Sequence, residues 1–310
     1  MAAGGGSKAI IAAFLANLGI AVSKFVGFAV TGSSSMLAEA IHSVADTGNQ
    51  GLLLLGGRLA RRKADEHFQF GFARERYFWS FIVALVLFSL GALFASYEGI
   101  EKIRHPHEIE SPIWAFLILG VAIVLETTSF RVAIRESRPL KGQSDWWGFV
   151  RNSRVPELPV VLLEDLGALC GLILAFVSVT LTVVFDAPVW DGIGTLAIGL
   201  LLGVIAVVLA IEMRSLLLGE SATPRNLRLI EAAIAESPQV ERIIHLRTQH
   251  LGPEELLVGA KIAFEHGLST AELAKAINDV ERRVRAVVPM ARPMYIEPDI
   301  YLPAHSDEAS

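Results

Sequence analysis

Hydrophobic residues form six long runs before residue 218, and a different pattern follows them. Each run holds about 20 or more mostly apolar residues, the length that a helix needs to cross a bilayer. The breaks between the runs contain glycine, serine, proline or aspartate, which are typical of turns. The pattern therefore predicts six transmembrane helices, over residues 8–31, 36–60, 77–101, 112–135, 157–184 and 189–217.

The pattern after residue 218 is typical of a small soluble domain. Residues 224–237 and 270–287 have the period of amphipathic helices, and residues 240–249, 255–264 and 294–301 have the pattern of strands. The order α-β-β-α-β predicts an α+β layer, with helices on one face of a small sheet. About 85 residues make a small core, so we expect this domain to support a homodimer.

Arginine and lysine are distributed unevenly among the loops, and this bias orients the helices. The loop after the second run and the region after the fourth are rich in basic residues, whereas the alternate loops hold few. Basic loops remain in the cytoplasm, so both termini are predicted to be cytoplasmic. The predicted fold class is an α-helical membrane protein with six transmembrane helices and a C-terminal cytoplasmic α+β domain.

The change of pattern also predicts the domain boundaries. We expect a six-helix transmembrane domain over 1–218, a cytoplasmic dimerisation or regulatory domain over 219–303, and a disordered tail over 304–310. The N-terminus lacks the basic segment and cleavage site of a signal peptide, so the first run is expected to remain as an anchor. In a bacterium, such an integral, multi-pass protein would lie in the plasma (inner) membrane.

Composition excludes several classes of function. Hydrophobic residues make up 53% of the chain, and a net charge of −5 without a long basic block argues against nucleic acid as a partner. Cys170 is the only cysteine, which excludes an intrachain disulfide and a cysteine-based metal cluster. The sequence shows neither a nucleophile–base set nor a phosphate-binding loop, so we predict no enzymatic activity, no catalytic residue and no cofactor.

Two ionisable residues lie four positions apart inside the second run. His42 and Asp46 share one helix face at that spacing. A charged side chain inside the bilayer costs at least about 2.5–3.5 kcal/mol, so such residues are functional candidates. An imidazole and a carboxylate together suit zinc and other first-row metals, and the alternative is a polar pair that forms an interhelical hydrogen bond. Asn49 and Gln50, in the same run, are expected to form helix–helix hydrogen bonds.

Three acidic residues lie inside the fourth and fifth runs. Glu126 lies in the fourth, and Glu164 and Asp165 are adjacent in the fifth. Adjacent carboxylates repel each other, so an apolar run disfavours them without a cation or a shared proton. They lie about 100° apart around the helix, so we expect one, preferably Asp165, to bind the same ion as His42. Glu164 and Glu126 are candidates either for ion binding or for interhelical hydrogen bonds.

Three of these candidates have similar predicted depths. At about 1.5 Å per residue, Asp46 lies about 15 Å and Glu126 about 21 Å below the outer end of its helix. Asp165 lies about 12 Å above the inner end of its helix. In a hydrocarbon core about 30 Å thick, Asp165 is then about 18 Å from the outer face. The agreement predicts one site near the middle of the membrane.

Several of these features together resemble the cation diffusion facilitator family over nearly the whole chain. They are His42-x-x-x-Asp46, the acidic residues of the fifth run, the six spans and the C-terminal domain. Residues 162–168, Leu-Leu-Glu-Asp-Leu-Gly-Ala, and the Gly71-Phe72 turn resemble the branch that includes the mitochondrial zinc transporter of animals. The resemblance implies a homodimer in the lipid bilayer that exchanges cytoplasmic Zn²⁺ or a related metal for protons.

The resemblance also implies a set of metal ligands, from which this chain departs at one position. Family members often carry His or Asp four residues before the aspartate of the fifth span, where this chain has Val161. A tetrahedral zinc site is then one ligand short. The implied ligands are His42, Asp46 and Asp165, which also carry the coupled protons. Glu164 or Glu126 would supply the fourth ligand.

The predicted function is a Zn²⁺/H⁺ antiporter that exports zinc from the cytoplasm by alternating access. One alternative keeps the family and changes the ion to Mn²⁺, Fe²⁺ or Co²⁺, and a shell richer in carboxylates would favour Mn²⁺. A second alternative is a metal-sensing membrane scaffold that binds the ion and transports nothing.

Overall fold

The computed structural model describes most of the chain, namely residues 10–11, 14–15, 17–23, 25–26, 29, 34–86, 91–106 and 112–302. Within these ranges, the side chains at 34–42, 45, 46 and 114 are not described. The described residues between 10 and 29 are helical, in agreement with the predicted first span. The predicted tail over 304–310 lies outside the described residues.

The chain divides into two compact units. The first contains residues 1–63 and 75–214, and the second contains residues 64–74 and 215–310. The second unit therefore includes a loop from the N-terminal part of the chain as well as the C-terminal residues.

The described part of the first unit is helical. Three of its helices are long and apolar enough to cross a membrane, over Ala115–Lys141, Glu157–Phe185 and Val189–Leu218. They correspond to the predicted fourth, fifth and sixth spans. The helices are α1 (Ser34–Leu59), α2 (Glu75–Val86), α3 (Leu93–Arg104), α4 (Pro112–Lys141), α5 (Trp146–Asn152), α6 (Glu157–Phe185) and α7 (Val189–Leu218).

Helix α7 approaches two neighbouring helices at glycines. A Cβ added to Gly99 of α3 would lie 2.4 Å from the backbone nitrogen of Leu196 in α7. A Cβ added to Gly167 of α6 would lie 2.7 Å from Cδ1 of Ile205 in α7. Lipid tails are as apolar as leucine, so membrane helices associate largely through close packing at small residues. These glycines allow α3 and α6 to contact α7 closely.

The C-terminal elements occur in the predicted order of helix, strand, strand, helix and strand. Strands β1 and β2 are antiparallel, β2 and β3 are parallel, and β2 is central. Strand β3 ends three residues before the predicted strand did, and just beyond it the N–H of Asp299 donates to the Ile262 carbonyl of β2 at 2.9 Å. The elements are α8 (Pro224–Ala235), β1 (Val240–Gly252), β2 (Glu255–Phe264), α9 (Thr270–Val287) and β3 (Met294–Pro298).

Both C-terminal helices begin at a side-chain cap. The Thr223 hydroxyl accepts the backbone N–H of Asn226, and Pro224 occupies the first turn of α8. Ser269 and Glu272 form a capping box at the start of α9. The hydroxyl and the backbone N–H of Ser269 both donate to the Glu272 carboxylate, which lowers its pKa below the ordinary value. The caps fix the first turn of helices that cover one face of the sheet through a shared apolar core.

Residues 64–74, which join α1 to α2, form a structured loop in the second unit. The Asp65 carboxylate accepts the backbone N–H groups of His67 at 3.0 Å and Phe68 at 2.8 Å. The rings of Phe68 and Phe72 lie 4.8 Å apart. Gly71 has a φ of 76°, a left-handed conformation that glycine adopts without steric cost. The loop therefore has a defined shape of its own.

This loop contacts the turn between β1 and β2. A Cβ added to Gly252 would lie 2.4 Å from the Cβ of Ala73, a distance that requires one of the two backbones to move. The connection between α1 and α2 is therefore held by the β-hairpin of the C-terminal unit.

Replacing Gly252 by alanine is expected to release this loop. Trypsin should then cleave the purified full-length protein faster at Lys63, just before the loop, and at Arg74, its last residue, as measured by mass spectrometry of timed digests. Gly259→Ala is the matched control in the same hairpin, since its added Cβ would meet only the Arg247 carbonyl oxygen at 3.9 Å. Equal cleavage rates in the two variants would contradict the contact.

Candidate metal centre

Helix α6 carries both adjacent carboxylates in the interior of an apolar segment. Residues 156–162, at its start, are all buried. Pro159 falls in the first turn, where a helix has no internal acceptor for the missing N–H, so the helix continues through it. Glu164 and Asp165 follow two turns into the helix, and Asp165 is only 4% exposed. Because buried carboxylates are unfavourable without hydrogen bonds, Glu164 and Asp165 need donors from neighbouring helices.

Both carboxylate oxygens of Glu164 accept hydrogen bonds from amides of α1. Asn49 Nδ2 lies 3.2 Å from Oε1, and Gln50 Nε2 lies 3.0 Å from Oε2. Asn49 is 2% exposed and Gln50 is fully buried. The expectation that these amides form helix–helix hydrogen bonds is confirmed. Glu164 thus connects α6 to the helix that carries positions 42 and 46.

Asp165 is bonded to a different helix. The hydroxyl of Ser129 in α4 donates to Asp165 Oδ2 at 3.0 Å. Glu126 lies three residues before Ser129, so it occupies the neighbouring turn on the same side of α4. Ser129 is not among the residues predicted from the sequence. The feature of the sequence that could have identified Ser129 is its position three residues after Glu126, a glutamate inside a predicted span.

His42 and Asp46 lie within α1, but their side chains are outside the described residues. Positions 42, 46, 49 and 50 follow the spacing of one helical stripe. Among the side chains that the structure describes, no group of three or more His, Cys, Asp or Glu residues is arranged to hold a metal ion. The full predicted ligand set therefore stays a prediction, while the contacts of Glu164 and Asp165 are observed.

An ion pair with a buried carboxylate joins the starts of α2 and α6. Arg76 donates from Nε to Glu157 Oε1, and its Nη2 lies 2.8 Å from Oε2. The Glu157 side chain is 3% exposed. Next to this pair, the hydroxyl of the fully buried Tyr77 donates to the Arg154 carbonyl at 3.3 Å. Glu157 is not among the residues predicted from the sequence, although a glutamate at the first residue of an apolar helix could have identified it.

Removing the charge of Glu157 should destabilise the helical unit. Glu157→Gln removes the negative charge that the Arg76 guanidinium contacts. Breaking a fully buried pair typically costs about 3–5 kcal/mol, and the cost should be smaller here because Arg76 is 18% exposed. The melting temperature of the detergent-purified protein should fall, and the exchanged pair Arg76→Glu with Glu157→Arg should recover part of the loss. Glu101→Gln is the control, since this carboxylate is 50% exposed in its pair with His105. A melting temperature for Glu157→Gln equal to that of the control would contradict this role.

Comparison with known proteins adds independent information. A model of the cation efflux transmembrane domain matches residues 10–218, which include helices α1 to α7. The proton-coupled zinc antiporter SLC30A9, mitochondrial, of Mus musculus is 33% identical over 277 residues, covering 88% of this chain and 48% of the relative. Its Homo sapiens counterpart is 36% identical over 245 residues, covering 78% and 43%. This chain thus spans just under half the length of these relatives.

A third relative has a length similar to that of this chain. The magnetosome protein MamB of Magnetospira sp. (strain QH-2) is 24% identical over 287 residues, and the match covers 92% of both chains. The similarity to this relative therefore extends from the helical unit into the C-terminal unit.

Proposed function

Since this chain belongs to the cation efflux family, also called the cation diffusion facilitator family, we propose that it is a Zn²⁺/H⁺ antiporter, a transporter rather than an enzyme, that exports zinc from the cytoplasm. The observation that carries the proposal is the Glu164-Asp165 pair inside α6, where each carboxylate is bonded to a different helix. The choice of zinc and protons is supported by relatives that are named proton-coupled zinc antiporters.

The proposed membrane arrangement has six spans, cytoplasmic termini and a homodimer. Three helices of sufficient length and apolarity in the described part of the chain support it. The basic residues after the second and fourth predicted spans support the orientation. In this arrangement the C-terminal unit lies in the cytoplasm.

The proposed zinc site lies where α1, α4 and α6 meet. His42 and Asp46 supply ligands from α1, Asp165 supplies one from α6, and Glu164 or Glu126 completes a four-coordinate shell. The hydrogen bonds from α1 to Glu164 support this, because Asp46 lies one helical turn before Asn49 and Gln50. A single ion at this position would offset the repulsion between carboxylates that the apolar helix otherwise brings together.

Proton coupling follows from the chemistry of the ligands. Zinc binds a neutral imidazole and ionised carboxylates, so zinc and protons compete for the same groups. In the proposed cycle, cytoplasmic zinc displaces protons from His42, Asp46 and Asp165, and external protons rebind as zinc leaves. Histidine has an ordinary pKa near physiological pH, which suits it to carry a proton in each cycle.

The carboxylate-rich surroundings of the site favour Mn²⁺ as the second candidate ion, ahead of Fe²⁺ and Co²⁺. Competition among these ions in one flux assay separates the candidates. Zinc should inhibit uptake of each of the others more strongly than they inhibit uptake of zinc.

Removing either central aspartate should abolish zinc-driven proton flux in liposomes that contain the purified protein. Asp46→Ala and Asp165→Ala each remove a proposed ligand and leave the shell too incomplete to bind zinc at transport concentrations. Flux is measured with a zinc-sensitive dye outside the liposomes and a pH-sensitive dye inside them.

The control for these variants is Asp186→Asn. Asp186 ends α6 with a φ of 50°, a left-handed conformation that asparagine also tolerates, and it lies outside the proposed site. It should transport at the unsubstituted rate. Zinc-driven flux that survives in both alanine variants would show that these aspartates are not the transport ligands.

A further inference from the structure

Glu164 is held by an unusual pair of donors. Asn49 and Gln50 are consecutive residues of α1, and each donates to a different oxygen of the same carboxylate, at 3.2 Å and 3.0 Å. The terminal torsion of a glutamate side chain ordinarily adopts a broad range of angles. Two donors on different oxygens therefore fix an orientation of the carboxylate that the side chain would not hold alone.

The carbonyl oxygens of these amides have no partner among the atoms that the structure describes. Among the described atoms, Asn49 Oδ1 and Gln50 Oε1 are buried and have no hydrogen-bond partner. A buried amide oxygen without a partner is unfavourable, and such groups are rare in native proteins. Two amides that served only to join helices would be expected to satisfy both ends. Their arrangement instead directs both N–H₂ groups to one carboxylate.

The direction of these hydrogen bonds bears on the role of Glu164. An ionised carboxylate only accepts hydrogen bonds, and it has about four acceptor positions, of which two amide donors use two. A carboxylate can accept two such hydrogen bonds and bind a cation at the same time. The donors lie three and four residues after Asp46 on the same helix, so they hold Glu164 beside that position.

We propose that Asn49 and Gln50 are positioning residues for transport, which orient Glu164 as the ligand that completes the zinc site in place of Glu126. The inference rests on the proposed function and deepens it, since it selects between the two carboxylates. Ser129 has the corresponding place beside Asp165, so each acidic residue of the pair is oriented by a different helix. The ligand that is missing at Val161 is then supplied by Glu164, about one turn later on α6, in the orientation set by α1.

The test measures zinc-dependent transport and zinc binding in the full-length protein. Asn49→Leu and Gln50→Met remove the donors while keeping side chains of similar size. In the double variant the KM for zinc should rise about tenfold or more, the loss expected when groups that orient metal ligands are removed. Equilibrium dialysis of the detergent-purified protein should show a matching loss of zinc affinity. Asn17→Leu, which removes an amide from the predicted first span, should leave both values unchanged.

A double-mutant cycle separates positioning from a merely structural role. Glu164→Gln should reduce zinc affinity, and adding it to the Asn49→Leu/Gln50→Met variant should cause little further loss, because both changes disable the same ligand. Glu126→Gln should retain zinc affinity close to that of the unsubstituted protein. A structural role alone would lower the melting temperature while the folded protein kept its KM for zinc, and that result would overturn the inference.

Different results would overturn the positioning role of Asn49 and Gln50 and the proposed antiporter function. Zinc flux in the unsubstituted protein together with an unchanged KM in the double variant would overturn the positioning role and leave the antiporter proposal intact. Loss of zinc affinity in Glu126→Gln but not in Glu164→Gln would overturn it as well. Absence of zinc-driven flux in the unsubstituted protein would overturn the proposed function and the inference with it.

Discussion

Two adjacent carboxylates in an apolar helix create the constraint on which the rest of the helical unit depends. Glu164 and Asp165 repel each other, and each loses solvation inside the bilayer. They project in different directions, so one neighbouring helix cannot satisfy both. The structure provides amides from α1 for Glu164 and a hydroxyl from α4 for Asp165. The arrangement of α1, α4 and α6 around this point thus follows from a requirement for hydrogen-bond donors.

The loop between α1 and α2 packs with the C-terminal elements. Residues 64–74 belong to that unit, and their fit against the β-hairpin leaves no room for a side chain at Gly252. The same loop is covalently continuous with α1, whose amides orient Glu164. The contact between the loop and the hairpin therefore lies within the second unit.

Local features of the sequence predicted the local structure well. Length and apolarity located α4, α6 and α7, and cap chemistry identified the starts of α8 and α9 at Thr223 and Ser269. Contacts between helices could not be predicted in the same way. The depth estimate placed Asp46, Asp165 and Glu126 in one layer, but it could not identify Ser129 as a donor to Asp165, because depth along a helix does not show which way a side chain projects. The pairs Arg76–Glu157 and Ala73–Gly252 likewise join segments far apart in sequence, which spacing alone does not relate.

The most direct test of the central claim is a structure of the zinc-loaded protein with anomalous diffraction recorded on both sides of the zinc edge. The account predicts one strong anomalous peak between α1 and α6, about 2.0–2.2 Å from a nitrogen of His42 and from carboxylate oxygens of Asp46, Asp165 and Glu164. Zinc found only in the C-terminal unit, or a peak in the helical unit away from these carboxylates, would contradict it.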